Sequence, residues 1–222
     1  MNEWISEGVL IKWDEKRDGK IRNMIPLMGV RQVKGKTTRI RPVLDYRLLN
    51  EQIHSYQGSS YASCQSRLRE WRKLGPNCAI MDLKKAYLQV RVAPDLWKYQ
   101  AVMWNGEVYV MTRLGFGLSI APKVMSRIVE TIIKEEQTIT ASGYIDDVFI
   151  AESSCNAEDV VGIFRRFGLE SKPIERMGLD KDVRVLGLNV QSNLQWRRDQ
   201  ELELGSLRKQ REEKYMESWG SG

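Results

Sequence analysis

An α+β fold is predicted from three observations on the 222 residues. Strand-like and helix-like segments alternate along the chain, no internal repeat or low-complexity tract interrupts them, and 42% of the residues are hydrophobic. That is enough to bury a core as one domain, or as one domain with two lobes. Taken in order, Ile25 to Val33 and Arg39 to Leu44 alternate in a strand-like way around Lys34-Gly35-Lys36, which predicts a basic β-hairpin with an exposed tip. Ser63 to Leu74 carries Leu68, Trp71 and Leu74 at spacings of three, which suits a helix stopped by Gly75-Pro76. A short apolar run, Cys78 to Leu83, follows and is interrupted only by Asp82. From Pro122, well placed in a first helical turn, Val124, Met125, Ile128, Val129, Ile132 and Ile133 line one helix face. Lys123, Arg127, Glu130 and Lys134 line the other. Thr138 to Ala151 reads as two apolar strands joined through Asp146-Asp147, and Val183 to Val190 as a further strand pair or strand end. Glu201 to Gly222 is highly charged with Leu202, Leu204 and Leu207 as sparse anchors, and predicts a frayed helix.

Composition excludes several classes of function. No apolar run approaches the roughly 18 residues of a membrane span, and Met1 to Leu10 carries Glu3, Trp4 and Glu7 where a leader is basic and then apolar. Neither a secreted nor a membrane-spanning chain is therefore expected. Three widely spaced cysteines and one histidine, His54, build neither a disulfide framework nor a Cys/His zinc site. Any metal has to sit on carboxylates. The net charge of +6 is concentrated: Ile11 to Arg47 holds 11 Lys and Arg against 4 acids, leaving 24 basic and 25 acidic residues elsewhere. Such a segment is the footprint of a phosphate-binding surface; its plainer reading is a solvated basic hairpin.

Three carboxylates interrupt apolar runs. Asp82 ends Cys78-Ala79-Ile80-Met81, and Asp146-Asp147 separate Tyr144-Ile145 from Val148-Phe149-Ile150. Burying a carboxylate costs several kcal/mol unless a cation or hydrogen bonds compensate it, on the order given for isolated buried charges. Taken singly, Asp146-Asp147 also reads as a polar hairpin turn, and Asp82 as a cap for a helix beginning at Lys84, Lys85 and Ala86. Together they supply hard oxygen donors without nitrogen or sulfur, which matches Mg²⁺ or Mn²⁺ rather than zinc.

Four blocks then occur in one order: Arg41-Pro42-Val43-Leu44-Asp45-Tyr46-Arg47-Leu48-Leu49-Asn50, Met81-Asp82-Leu83-Lys84-Lys85-Ala86-Tyr87, Leu114-Gly115-Phe116-Gly117-Leu118 to Ala121-Pro122, and Tyr144-Ile145-Asp146-Asp147. With them the chain, from about Gly29 to Trp196, resembles the reverse transcriptases of retroviruses and long-terminal-repeat retrotransposons. The resemblance implies a right-hand polymerase fold with an antiparallel palm sheet packed on helices. It implies a reverse transcriptase domain over 1–200, with fingers at about 1–75 and 90–120 and palm at about 76–89 and 121–200. The tail 201–222 is expected to be a truncated start of the thumb or disordered, the thumb itself being absent.

Position by position, Asp82 and Asp146 resemble the carboxylates that bridge two Mg²⁺ ions, for which Mn²⁺ substitutes, and Asp147 a supporting third. Tyr87 matches the family's steric gate against a ribose 2′-hydroxyl; its alternative is a core tyrosine on a helix. Phe116 and Gly117 match the loop against the incoming nucleotide. Gly115 stands where the family commonly has Pro, a departure expected to loosen that loop. Arg41 matches a contact to the nucleotide phosphates, with Lys34 or Lys36 as its companion; Arg47 is expected to pair with Asp45. Lys172 resembles the lysine that protonates the leaving pyrophosphate, against the reading of an ordinary solvated lysine. Leu186 and Gly187 resemble the primer grip, against an ordinary β-turn. The resemblance implies RNA-directed DNA polymerase activity on an RNA or DNA template with its primer, using deoxynucleoside triphosphates. It further implies an intracellular setting in cytoplasm, nucleus or a retroelement particle, and thumb and ribonuclease H domains in a longer polyprotein. Two other readings compete: a truncated or domesticated fold serving as a non-catalytic nucleic-acid-binding subunit, and an RNA-templated RNA polymerase.

Overall fold

The computed structural model describes residues 1–34, 37–54, 63–75, 77–178, 182–186, 188–191 and 195–198. Through them the chain forms α1 (Asn2–Ser6), β1 (Leu10–Lys12), α2 (Glu15–Asp18), β2 (Leu27–Lys34), β3 (Thr37–Leu44), α3 (Arg47–Gln52) and α4 (Cys64–Lys73). It continues as β4 (Cys78–Asp82), a 3-10 turn at Ala86–Gln89, α5 (Pro94–Trp97), β5 (Ala101–Trp104), β6 (Glu107–Met111) and α6 (Ala121–Glu135). β7 (Ala141–Tyr144), β8 (Asp147–Ala151), α7 (Ala157–Arg166), β9 (Glu175–Arg176), β10 (Val183–Val185), β11 (Leu188–Val190) and β12 (Trp196–Arg198) complete it. The predicted α+β class is what forms, and every pairing between these strands is antiparallel. No helix among the described residues is long and apolar enough to cross a membrane. The hairpin tip at Gly35 and Lys36, the helix stop at Pro76, Gly187 and the tail 201–222 lie outside the described residues.

Contacts divide the chain into two units. The first comprises Met1–Ser60, Leu83–Ile132 and Phe164–Glu170. Its sheet runs β1-β6-β5, and the predicted basic hairpin pairs β2 with β3 from Leu27 opposite Leu44 to Lys34 opposite Thr37. The turn between β5 and β6 is Asn105-Gly106 with φ of +50° and +75°. Positive φ at both central residues is what a two-residue hairpin prefers. Val9, Leu10, Leu44, Tyr46, Leu49, Val102, Met111 and Leu114 form the core. Asp45 receives Arg47 at 2.6 Å, as the sequence suggested.

Gly115 sits where the space beside it is filled. It is buried, and a Cβ there would overlap Oη and Cζ of Tyr46, a ring that is itself 98% buried at 2% exposure. The glycine makes room for a tyrosine carried by the first sequence block. Gly115→Ala is expected to destabilise the protein by about 1–3 kcal/mol through overpacking, read as a lower urea midpoint at unchanged m value.

The second unit comprises Tyr61–Asp82, Ile133–Ile163 and Ser171–Gly222. Its sheet runs β7-β8-β4-β9, and β10-β11-β12 form another. α4 starts where Ser63 Oγ accepts the Ser66 N–H at 3.1 Å, and its buried Trp71 stacks on Phe149 at 4.8 Å. Two local expectations need correction. No α-helix begins at Lys84 to Ala86: Lys85 takes a left-handed conformation at φ +49°, and a 3-10 turn follows directly, so Tyr87 is not on an α-helix. The connection of β7 to β8 is made by Ile145 and Asp146, with Ile145 at φ +56°, while Asp147 belongs to the strand. A positive φ on a β-branched residue is strained, and the sequence pattern does not announce it.

Candidate active site

The carboxylates are placed by the strands that carry them. Cys78 to Met81 and Val148 to Ala151 are all buried, so β4 and β8 stay paired along the apolar stretch and reach the polar residues together. The register sets Asp82 opposite Asp147, with Asp146 in the adjoining turn. All three are half-buried. Lys172 Nζ donates to Asp82 Oδ2 at 2.6 Å, and the Lys172 N–H donates to the Asp82 carbonyl at 2.8 Å. A cavity of about 260 Å³ opens here, lined by Asp82, Asp147, Pro173, Glu175, Arg184 and Leu186. Leu186 sits in the β10–β11 turn at φ +46°. Asp82, Asp147, Lys172 and Leu186 are thus brought together although up to 104 positions separate them, while Gly187 lies outside the described residues.

Burial raises Asp146, and the Asp82 carboxylate adds to the rise, against opposing help from its backbone hydrogen bond and Lys172. Burial likewise pushes Asp147 from 3.8 up to about 7, reinforced by Asp146 and Asp82. The hydrogen bond to Asp82 raises Lys172. Among the described residues no three His, Cys, Asp or Glu side chains are already gathered to hold a metal ion. The donor set fits one in chemistry: oxygen donors only, with two carboxylates that burial and mutual repulsion leave short of positive charge. Asp82, the third, is turned to Lys172.

A consequence for the metal-free protein follows. A carboxyl whose folded pKa lies above its unfolded value stabilises the fold below the unfolded value and loses that contribution as pH rises through the folded one. For Asp147 the window runs from about 4 to about 7. Metal-free protein is expected to melt lower at pH 8 than at pH 5.5, and Asp147→Asn to flatten that slope. The carboxylates with lowered values, Glu3, Asp18, Asp45, Glu107 and Glu158, act only at more acidic pH. Differential scanning fluorimetry in a chelating buffer reads the comparison.

The first unit gathers a second group. Phe116 is 69% exposed, with the Tyr87 ring 5.7 Å away at 44° and Arg41 Cζ 5.8 Å from its centroid. A cation and two ring faces at this spacing suit a planar, phosphate-bearing ligand. Gly117 adopts φ +109°, a conformation that favours glycine. Of the two candidate lysines, Lys34 closes β2 while Lys36 lies outside the described residues. Sequence reasoning assigned no role to Asn50, whose Nδ2 donates to the Gly117 carbonyl at 2.9 Å and whose Oδ1 accepts the Ser119 N–H at 2.8 Å. This amide ties the Phe116 loop to α3. Its position at the end of the first block was the available signal. Lys85 was passed over too; it binds Glu3 at 2.6 Å and Glu7 at 3.1 Å beside the turn that bears Tyr87.

The chain is 27% identical over 151 residues to the Pro-Pol polyprotein of Simian foamy virus type 3 (strain LK3), covering 68% of this chain and 12% of the polyprotein. It superposes on the foamy viral protease-reverse transcriptase solved with double-stranded DNA with a TM-score of 0.65, at 23% identity over 86% of this chain and 39% of that one. On the native prototype foamy virus protease-reverse transcriptase the TM-score is 0.66, at 24% identity over 85% of this chain and 24% of that one. These structures share the fold, and the chain spans well under half of each relative's length. The sequence profile of reverse transcriptase (RNA-dependent DNA polymerase) matches residues 16–173, which include all three carboxylates, Arg41, Tyr87 and Phe116, and the chain belongs to that family.

Proposed function

We propose that this chain is the fingers-and-palm part of an RNA-directed DNA polymerase that adds deoxynucleotides to a primer 3′-hydroxyl on an RNA or DNA template. The observation that carries the reading is the register of β4 on β8, which sets Asp82 beside Asp147 with Asp146 in the next turn. These carboxylates would hold two Mg²⁺ ions, or Mn²⁺ in their place, which when bound activate the primer hydroxyl and neutralise charge on the triphosphate. Arg41, with Lys34 or Lys36, binds the phosphates; Phe116 and Gly117 form the surface under the nucleotide, held by Asn50. Tyr87 limits the space at the sugar. Lys172 is the proton donor for the leaving pyrophosphate, and Leu186 with Gly187 supports the primer end. Positioning and electrostatics lower the barrier. The fingers correspond to about 1–75 and 90–120, the palm to about 76–89 and 121–200.

The test is extension of a labelled DNA primer by one nucleotide on an RNA template, at low salt with Mg²⁺ or Mn²⁺. Low salt matters because phosphate contacts supply most of the affinity. Extension with deoxynucleotides supports the reading. Retained template binding without extension overturns it in favour of a non-catalytic nucleic-acid-binding subunit, and extension with ribonucleotides alone in favour of an RNA polymerase.

A further inference from the structure

We propose that Lys172 is the resident counter-ion of the carboxylate site, occupying Asp82 until a divalent cation displaces it. The inference rests on the polymerase reading of that site and goes beyond the proton-donor role. Four observations carry it. The Lys172 ammonium lies 2.6 Å from Asp82 Oδ2, within the range of a strong charge-assisted hydrogen bond. The start of its side chain is fixed, because the Lys172 N–H is held by the Asp82 carbonyl at 2.8 Å and Pro173 restricts Lys172 to extended backbone conformations. The side chain is 57% exposed, so the ammonium on its four-carbon stem has open space to leave into. Finally, its charge also acts on Asp146 and Asp147, so one cation acts on all three carboxylates.

Asp82 faces the lysine, and a divalent ion can recruit it only by breaking that pair. The metal-free protein gains a site with less repulsion among its carboxylates, and the cost is a weaker hold on the ion. Arg184 supplies the control. It lines the same cavity and carries the same charge, while the ammonium that lies 2.6 Å from Asp82 Oδ2 belongs to Lys172.

The test is titration of Mn²⁺ into the full chain without nucleic acid or nucleotide, followed by water proton relaxation and calorimetry. Lys172→Met is expected to bind Mn²⁺ about fivefold to tenfold more tightly than wild type, the range that a partly exposed ion pair of about 1 kcal/mol supports. Lys172→Arg and Arg184→Met are each expected to stay within about twofold of wild type on the same scale. Unchanged or weaker binding by Lys172→Met overturns the proposal. So does an equal gain in Arg184→Met, which would make the effect one of general charge. Measurable binding in wild type with no gain in Lys172→Met removes the counter-ion role alone. Failure of every variant to bind Mn²⁺ removes the metal reading with it.

Discussion

Asp82→Asn and Asp146→Asn are each expected to lower single-nucleotide extension by at least about 10³-fold, the scale of several kcal/mol of transition-state charge stabilisation. The reason is specific to the site. Each change removes one of the three carboxylates proposed as ligands, and an amide is a poorer ligand for Mg²⁺ or Mn²⁺. The fold should survive both. Asp146 is raised by burial and by Asp82, so its replacement relieves a charge that the metal-free protein holds at a cost. Asp146→Asn should therefore melt no lower than wild type at pH 8 in chelator. Asp82→Asn loses its ion pair with Lys172, and because that pair is more than one-third exposed its loss should cost little. Extension assays beside melting curves separate the two effects. Extension by either variant within tenfold of wild type would falsify the assignment of these carboxylates, whereas loss of extension together with loss of the folded transition would show only that the variant does not fold.

Much of this site was legible in the sequence because carboxylates interrupting apolar strands are conspicuous. Asp82 and Asp147 stand out where Cys78 to Met81 and Val148 to Ala151 are buried, and the apolar positions of both runs fix the strands that carry them. The helix at Cys64–Lys73 followed from Leu68, Trp71 and Leu74, and the long helix at Ala121–Glu135 from its stripe, although its buried face also takes in Ser126. Other features were hidden for physical reasons. The Asp82–Lys172 pair joins residues 90 positions apart, and no local period announces such a contact. The fit of Gly115 against Tyr46 is a matter of volume between distant segments, so the missing proline looked like slack when it is filled space. α1, α2 and α5 are four or five residues long, too short for an amphipathic pattern to develop. The Asn105-Gly106 hairpin was different: its signal was present and unread.

Tyr87→Val should preserve incorporation of deoxynucleotides within about tenfold and raise incorporation of ribonucleotides by about 10²-fold, the size of discrimination that a steric clash at one substituent provides. The ring lies 5.7 Å from Phe116, a residue 69% exposed, so Tyr87 borders open surface as well as the core. Its backbone is in a short 3-10 turn, whose direction is set by the left-handed Lys85 and by the Lys85 pairs with Glu3 and Glu7. Valine keeps the β-carbon while removing the ring that would meet a 2′-hydroxyl. The same substitution removes contacts with the core and should cost about 1–3 kcal/mol in stability, so rates have to be compared well below the variant's melting temperature. Tyr87→Phe separates the steric role from the hydroxyl: the ring remains, and the preference for deoxynucleotides should remain with it. If both variants keep wild-type discrimination while Tyr87→Val loses stability, Tyr87 is a packing residue and sugar selection lies elsewhere.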